Sequence, residues 1–196
     1  IGKFNHIDIR DYGSGNAGTT NVMRTLGKKA GIITYLVDAL KAVFSAIVIH
    51  FIFGKNSDCE MLLFLYSGLG VVLGHNFPFY LKFKGGKGIA ASSGVVVSLL
   101  LFPKHCWILT VLGIITFASV TYISKYVSLG SLVFIGAFFI EMIIYAVNGW
   151  LPLAGSDLYE ALVLVFIITA LAFIRHHGNI KRLINGTERK IGQHKN

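Results

Sequence analysis

The stretch GIITYLVDALKAVFSAIVIHFIF, Gly31–Phe53, decides the fold. Its only formal charges are Asp38 and Lys41, and it exceeds the roughly 20 apolar residues that a helix needs to cross the hydrocarbon layer. Five further apolar runs follow it: Met61–Phe77, Ile89–Phe102, Cys106–Ile123, Leu129–Val147 and Leu158–Ile174. The third is short and polar at its start. With 54% hydrophobic and 14% charged residues and a mean hydropathy of +0.67, the chain falls among membrane proteins. The reading is an all-α, polytopic integral membrane protein with about six spanning helices. No linker or low-complexity segment divides it, so residues 1–196 are read as a single domain.

Threading six helices through a bilayer sorts the charges. Lys3, Arg10, Arg24, Lys28, Lys29, Lys82, Lys84, Lys87, Lys125, Arg175, Lys181, Arg182, Arg189, Lys190 and Lys195 fall on one face. Lys55 and Lys104 fall on the other, and Lys41 lies within a helix. By the positive-inside rule the crowded face is cytoplasmic. The net charge of +9 therefore reads as orientation and attraction to anionic lipid, with the lipid bilayer as partner. No basic motif interleaved with aromatics points to nucleic acid. Asp38 and Lys41, three apart, share a helix face and neutralise one another, which reads as a structural pair. Cys59 and Cys106 lack metal-ligand spacing and read as small apolar residues, with a disulfide across the outer loops left open.

Four polar segments share the cytoplasmic face in this threading. The first is GSGNAGTTNVMR, Gly13–Arg24, just before the first spanning run. Small residues let backbone approach a ligand, successive N–H groups form anion-binding nests, and Arg24 adds a forked cation. The second is HNFPFYLKFKGGKG, His75–Gly88, between the second and third runs. Its end lacks the Walker A spacing, leaving Lys87 among Gly85, Gly86 and Gly88 where a helix begins, a suitable place for an anion. The third is SKYVS, Ser124–Ser128, and the fourth RHHGNIKRLINGTE, Arg175–Glu188. In the last, His176, Asn179 and Arg182 recur every three residues and so share one helical face. HExxH is absent and cytoplasmic carboxylates are few, so no metal site and no cofactor are expected. Charge orientation accounts for the lysines and arginines, but not for the glycines, Ser128, His176 or Asn179. Their convergence predicts a pocket on that face.

These motifs in this order, GSGNAGTTN…R, GH…P…FKGGKG, YVS and H..N..RL..G.E, resemble the bacterial acyl-phosphate:glycerol-3-phosphate acyltransferases, the PlsY family. The resemblance runs from about Asp8 to Glu188. It implies seven spanning helices with an outside N-terminus, so the family's first helix is expected to precede Ile1. It also implies acyl transfer from acyl phosphate to the sn-1 hydroxyl of glycerol 3-phosphate, giving lysophosphatidic acid and phosphate in bacterial phospholipid synthesis. The place of action would be the bacterial cell membrane, with the site facing the cytoplasm. Carried over by residue, Ser14, Lys87, His176 and Asn179 become the candidate catalytic residues. Gly15, Asn16, Gly18, Thr20, Asn21, Arg24, Gly85, Gly86, Gly88 and Ser128 become the substrate-binding candidates. Thr19 departs from a frequent alanine, and His177–Gly178 from a frequent Arg-Glu pair.

The residues suit that chemistry. Two phosphate-bearing substrates call for cations and N–H groups, and an activated acyl phosphate needs no covalent enzyme intermediate. The proton acceptor is His176 or a phosphate oxygen of substrate. His6 and Asp11 share the HxxxxD spacing of thioester-using glycerolipid acyltransferases, but that family's companion motifs are missing. The competing reading is a multi-pass transporter of a small phosphorylated or organic anion. It predicts polar groups near the midplane and two related halves, and neither is visible.

Overall fold

The computed structural model describes residues 2–54, 59–102 and 105–193. Lys55, Lys104 and Lys195, used above in assigning the two faces, lie outside them. Every regular element among the described residues is helical. Seven α-helices are α1 (Thr19–Phe53), α2 (Glu60–Asn76), α3 (Ile89–Ser98), α4 (Trp107–Ser124), α5 (Val127–Val147), α6 (Gly155–Arg175) and α7 (His177–Ile184). Among the described residues, α1, α4, α5, α6 and the segment Glu60–Leu81 are long and apolar enough to cross a membrane. Their outer faces carry exposed Val37, Leu40, Phe44, Ile114, Ile140, Val163 and Phe166. Water would not tolerate so much exposed apolar surface on either unit; lipid does.

Two expectations change in detail. The first spanning run is the later part of a much longer helix, since α1 already begins at Thr19 and is 35 residues long. A straight helix of that length would measure about 52 Å against about 30 Å of hydrocarbon. Gly27 breaks it, with φ 87° and ψ 172°, a backbone conformation open only to glycine. The bend is sharp. A Cβ on Gly31 would lie 2.5 Å from that of Met23, although residues eight apart on a straight helix are separated by about 12 Å. Thr20, Asn21 and Arg24, part of the polar segment ahead of the first spanning run, therefore sit on a short helical piece of their own. The second change is α3, whose 10 residues continue only as a 3-10 turn, Leu99–Leu101. At about 1.5 and 2.0 Å per residue these reach only about 21 Å, short of a full crossing.

The chain divides into two compact units, Ile1–Ser98 and Leu99–Asn196. In the first, α1 packs on α2 and α3. Small residues set the distance: a Cβ on Gly94 would meet the Ala39 carbonyl oxygen at 2.2 Å, and one on Gly68 would meet Val95 at 2.9 Å. Such close backbone approach is how helices associate in lipid, where no hydrophobic drive separates them from solvent. A hydroxyl pair, Ser45 and Ser67, adds a polar link. In the second unit, α5 is central, packed on α4, α6 and α7. Gly130 lies against Thr121 and the Phe117 carbonyl of α4, and the Thr169 hydroxyl donates to the Ile135 carbonyl at 3.4 Å. Both cysteines are free thiols.

Candidate functional site

In the first unit the glycine-rich segment is organised by one side chain. Asn21, 1% exposed, donates to the carbonyls of Ile9 and Tyr12, both at 2.9 Å, and accepts the Ser14 N–H at 2.8 Å. Three bonds to backbone wind residues 9–14 around the start of α1. Gly13 is obligatory there, because a Cβ would fall 2.3 Å from the Asn21 Oδ1. Gly18 is the N-cap residue just before α1. Ser14, Gly15 and Arg24 are exposed, while Asn16 and Thr20 are half-buried. The candidates of this segment thus cluster at one helix entry, with Asn21 serving as its frame.

The same end of this unit carries the loop after α2. Arg10 reaches it, donating through Nη1 to the Leu81 carbonyl at 2.9 Å. Gly85 and Gly86 then clasp the end of α2: their N–H groups donate to the carbonyls of Asn76 (3.2 Å) and His75 (3.1 Å). No side chain fits at either position. A Cβ on Gly85 would sit 2.1 Å from the His75 carbonyl oxygen, and one on Gly86 2.1 Å from the His75 Nε2. Lys87 follows at once and Gly88 opens α3, with the Ser92 N–H donating to the Gly88 carbonyl at 2.7 Å. The clasp therefore sets a half-buried lysine at a helix N-terminus, where N–H groups and the dipole favour an anion. Beside Gly88 lies the wholly buried Asn76. Neither of its side-chain polar atoms has a partner among the described residues.

The second unit collects its polar groups around a carboxylate. The Glu188 Oε1 accepts from Ser128 at 2.9 Å and from the Asn179 Nδ2 at 2.7 Å, and Oε2 accepts from the Arg182 Nε at 2.7 Å. A tight turn brings the carboxylate back over α7, with Thr187 and Glu188 N–H groups both donating to the Arg182 carbonyl. Burial raises the Glu188 pKa, but the bonds from Asn179, Arg182 and Ser128 outweigh it and hold the carboxyl below its ordinary value. Magnitudes rank these partners. Arg182 is 45% exposed, so its ion pair contributes under about 1 kcal/mol. The bonds from buried Ser128 and Asn179 to a charged oxygen contribute about 1.5–3 kcal/mol each.

His176, 4% exposed, stands at the break between α6 and α7. Its Nδ1 lies 2.7 Å from the Ala172 carbonyl oxygen. A carbonyl only accepts, so Nδ1 carries the proton and the neutral ring has its lone pair on Nε2. His177, by contrast, is exposed. The sequence alone gives Glu188, the last residue of the fourth motif, no role in the site, yet it ties Ser128 and Asn179 together. The signal was present: a carboxylate just past Gly186 can fold back onto donors at positions 179 and 182. Among the described residues no three His, Cys, Asp or Glu side chains cluster so as to hold a metal ion.

The comparisons decide the family. Residues 1–186 match the family described as Glycerol-3-phosphate acyltransferase. The chain belongs to the glycerol-3-phosphate acyltransferase family. Over 189 residues it is 43% identical to the Glycerol-3-phosphate acyltransferase of Clostridioides difficile (strain 630), covering 96% of this chain and 84% of that protein. The namesake from Shouchella clausii (strain KSM-K16) is 41% identical, with 97% and 86% covered. Among solved structures, the crystal structure of PlsY, an integral membrane glycerol 3-phosphate acyltransferase in its glycerol 3-phosphate form, superposes with a TM-score of 0.80. It is 33% identical and covers 98% of this chain and 86% of its own. The lysophosphatidic acid form of the same enzyme gives a TM-score of 0.78 at 32% identity. The protein is thus a multi-pass membrane acyltransferase of this family, as the motifs implied.

Proposed function

We propose that this protein transfers an acyl group from acyl phosphate to the sn-1 hydroxyl of glycerol 3-phosphate, at the cytoplasmic face of the bacterial cell membrane. The observation that carries this reading is Lys87 clasped at the entry of α3 by Gly85 and Gly86, in a chain that matches the family over residues 1–186. The glycerol hydroxyl attacks the acyl carbonyl carbon, and the C–O bond to phosphate breaks with its electron pair leaving on phosphate. Lys87 and Arg24 carry the charge of the phosphate groups, and Lys87 the charge that develops on the departing one. Ser14, Asn16, Thr20 and Ser128 orient substrate oxygens through their side chains. Asn21 keeps the first of those segments in shape, and Glu188 keeps Asn179 and Ser128 in theirs.

The hydroxyl proton leaves to the Nε2 of His176 or to a phosphate oxygen of substrate. Substantial turnover in a His176→Ala variant assigns it to the phosphate. Loss of turnover regained with an alternative small base in solution assigns it to the imidazole. The function itself is tested by phosphate release from acyl phosphate plus glycerol 3-phosphate, using purified protein in lipid. The reading requires lysophosphatidic acid in equal amount and activity insensitive to chelator. Uptake of either anion into liposomes without turnover would install the transporter instead.

A further inference from the structure

Three ionisable side chains inside the apolar helices of the first unit, Asp38, Lys41 and His75, form one cluster. The Lys41 Nζ lies 2.8 Å from the Asp38 Oδ1 and 2.8 Å from the His75 Nδ1, and that Nδ1 is 3.2 Å from the same Asp38 oxygen. Charge in hydrocarbon is costly, and a carboxylate three residues from an ammonium already meets the need for neutrality. The pair requires no third member, so the presence of His75 needs another explanation.

That explanation lies on the other edge of the ring. The three atoms nearest to a Cβ on Gly86 all belong to the His75 imidazole: Nε2 at 2.1 Å, Cε1 at 2.8 Å and Cδ2 at 3.0 Å. The ring is therefore pressed against the Gly86 backbone, while the His75 carbonyl holds the Gly86 N–H. At Nδ1 the ring is held in either tautomer, since the ammonium donates to a lone pair there and the carboxylate accepts an N–H. Packing alone does not fix it. Asp38, Lys41 and His75 border a cavity of about 860 Å³, together with Gly85 and Gly86.

We propose that Asp38, Lys41 and His75 are positioning residues for Lys87: the α1 ion pair fixes the imidazole, and the imidazole fixes Gly86 and hence the lysine beside it. The inference rests on the proposed role of Lys87, and misplacing a charge-stabilising group by about 1 Å costs on the order of 10² in rate. Two double-mutant cycles on the full chain in lipid test it, with kcat measured on acyl phosphate and glycerol 3-phosphate. His75→Ala should lower kcat 10- to 100-fold. In combination with Lys87→Met, it should add less than about twofold to the loss from Lys87→Met alone, because both act through one ammonium. Losses that multiply overturn the proposal, as does a His75→Ala enzyme with normal kcat.

The second cycle is independent of what Lys87 does. Gly86→Ala should lower kcat strongly in the natural chain and less than threefold when His75 is already alanine, since the three atoms nearest to the new methyl group all belong to the ring. Equal cost in both backgrounds overturns the positioning contact. If Lys87→Met alone has no effect, the proposed function of Lys87 fails, while this second cycle still decides whether His75 sets the loop. Should His75→Ala fail to fold in the membrane, His75→Asn replaces it in both cycles. It keeps a polar group near the Nδ1 position and removes the edge that meets Gly86.

Discussion

The two units hold their polar residues at the ends of apolar helices by opposite means. In the first, backbone does the holding: Asn21 gathers three main-chain groups, and the end of α2 clasps two glycine N–H groups. The resulting surface is glycine and cation, with Arg24 and Lys87 supplied by the same segments. In the second, a single carboxylate gathers side chains, Ser128, Asn179 and Arg182. A backbone clasp tolerates almost no substitution, because any Cβ collides. A carboxylate hub tolerates the loss of individual spokes, because each bond contributes separately. A site for an anion benefits from the first arrangement, where the groups that bond the loops directly are main-chain and amide groups without charge, and groups that touch neutral parts of a substrate tolerate the second.

The sharpest way to break this comparison is Lys87→Met, measured as turnover at saturating substrates in folded, membrane-inserted protein. Loss of a donor to developing charge removes about 10²–10³ in rate. Arginine at the same place should recover only part of it, since a planar fork does not replace a compact ammonium. Next comes Asn21→Ala, which strands two carbonyls and an N–H. Unmade bonds of this kind cost about 1–3 kcal/mol each where they are buried, so thermal unfolding should move down by several degrees and activity should fall with it. An unchanged melting temperature would show that the loop needs no frame.

Glu188→Gln sharpens the other half. The amide still accepts from Ser128 and Asn179 through its oxygen but turns its NH2 group toward Arg182, so turnover should fall several-fold, and Arg182→Ala should do less. A larger effect from Arg182 than from Glu188 would reverse the ranking of partners given above. Acid provides a milder probe of the same hub. A carboxyl whose folded pKa is lowered stabilises the fold above its ordinary unfolded value, about 4.3, and that contribution is lost as the pH falls through the folded value. Protection of residues 177–193 against hydrogen exchange should therefore fall as the pH drops below that unfolded value, ahead of residues 9–24. Smallest of all is Lys84→Met. Many neighbouring cations share the task of orientation, and turnover should stay within about twofold.

Much of this was legible in the residues. Gly31–Phe53 and the runs after it announce membrane helices, because hydrocarbon demands length and apolarity that nothing else supplies. The motifs around Asn16, Lys87, Ser128 and His176 pointed to phosphate chemistry through residue type alone, and the resemblance named the family that the comparisons confirm. Where the polar segment before the first run ended was not legible. Thr19–Arg24 looks like loop composition, yet it is helical up to a break at Gly27 that only a backbone angle reveals.

Which members of a motif touch substrate and which hold the motif together was equally hidden. Asn16 and Asn21 look alike in the sequence; burial and three backbone bonds make one of them a frame. Glu188 and His75 are single letters whose decisive partners include distant ones, Ser128 at 60 residues and Lys41 at 34. Composition and periodicity act over a few helical turns and so determine which segments enter the membrane and what chemistry their ends carry. Contacts across such distances depend on how separate helices pack. Only the tertiary structure decided, therefore, that a histidine edge meets a glycine and that one carboxylate serves three donors.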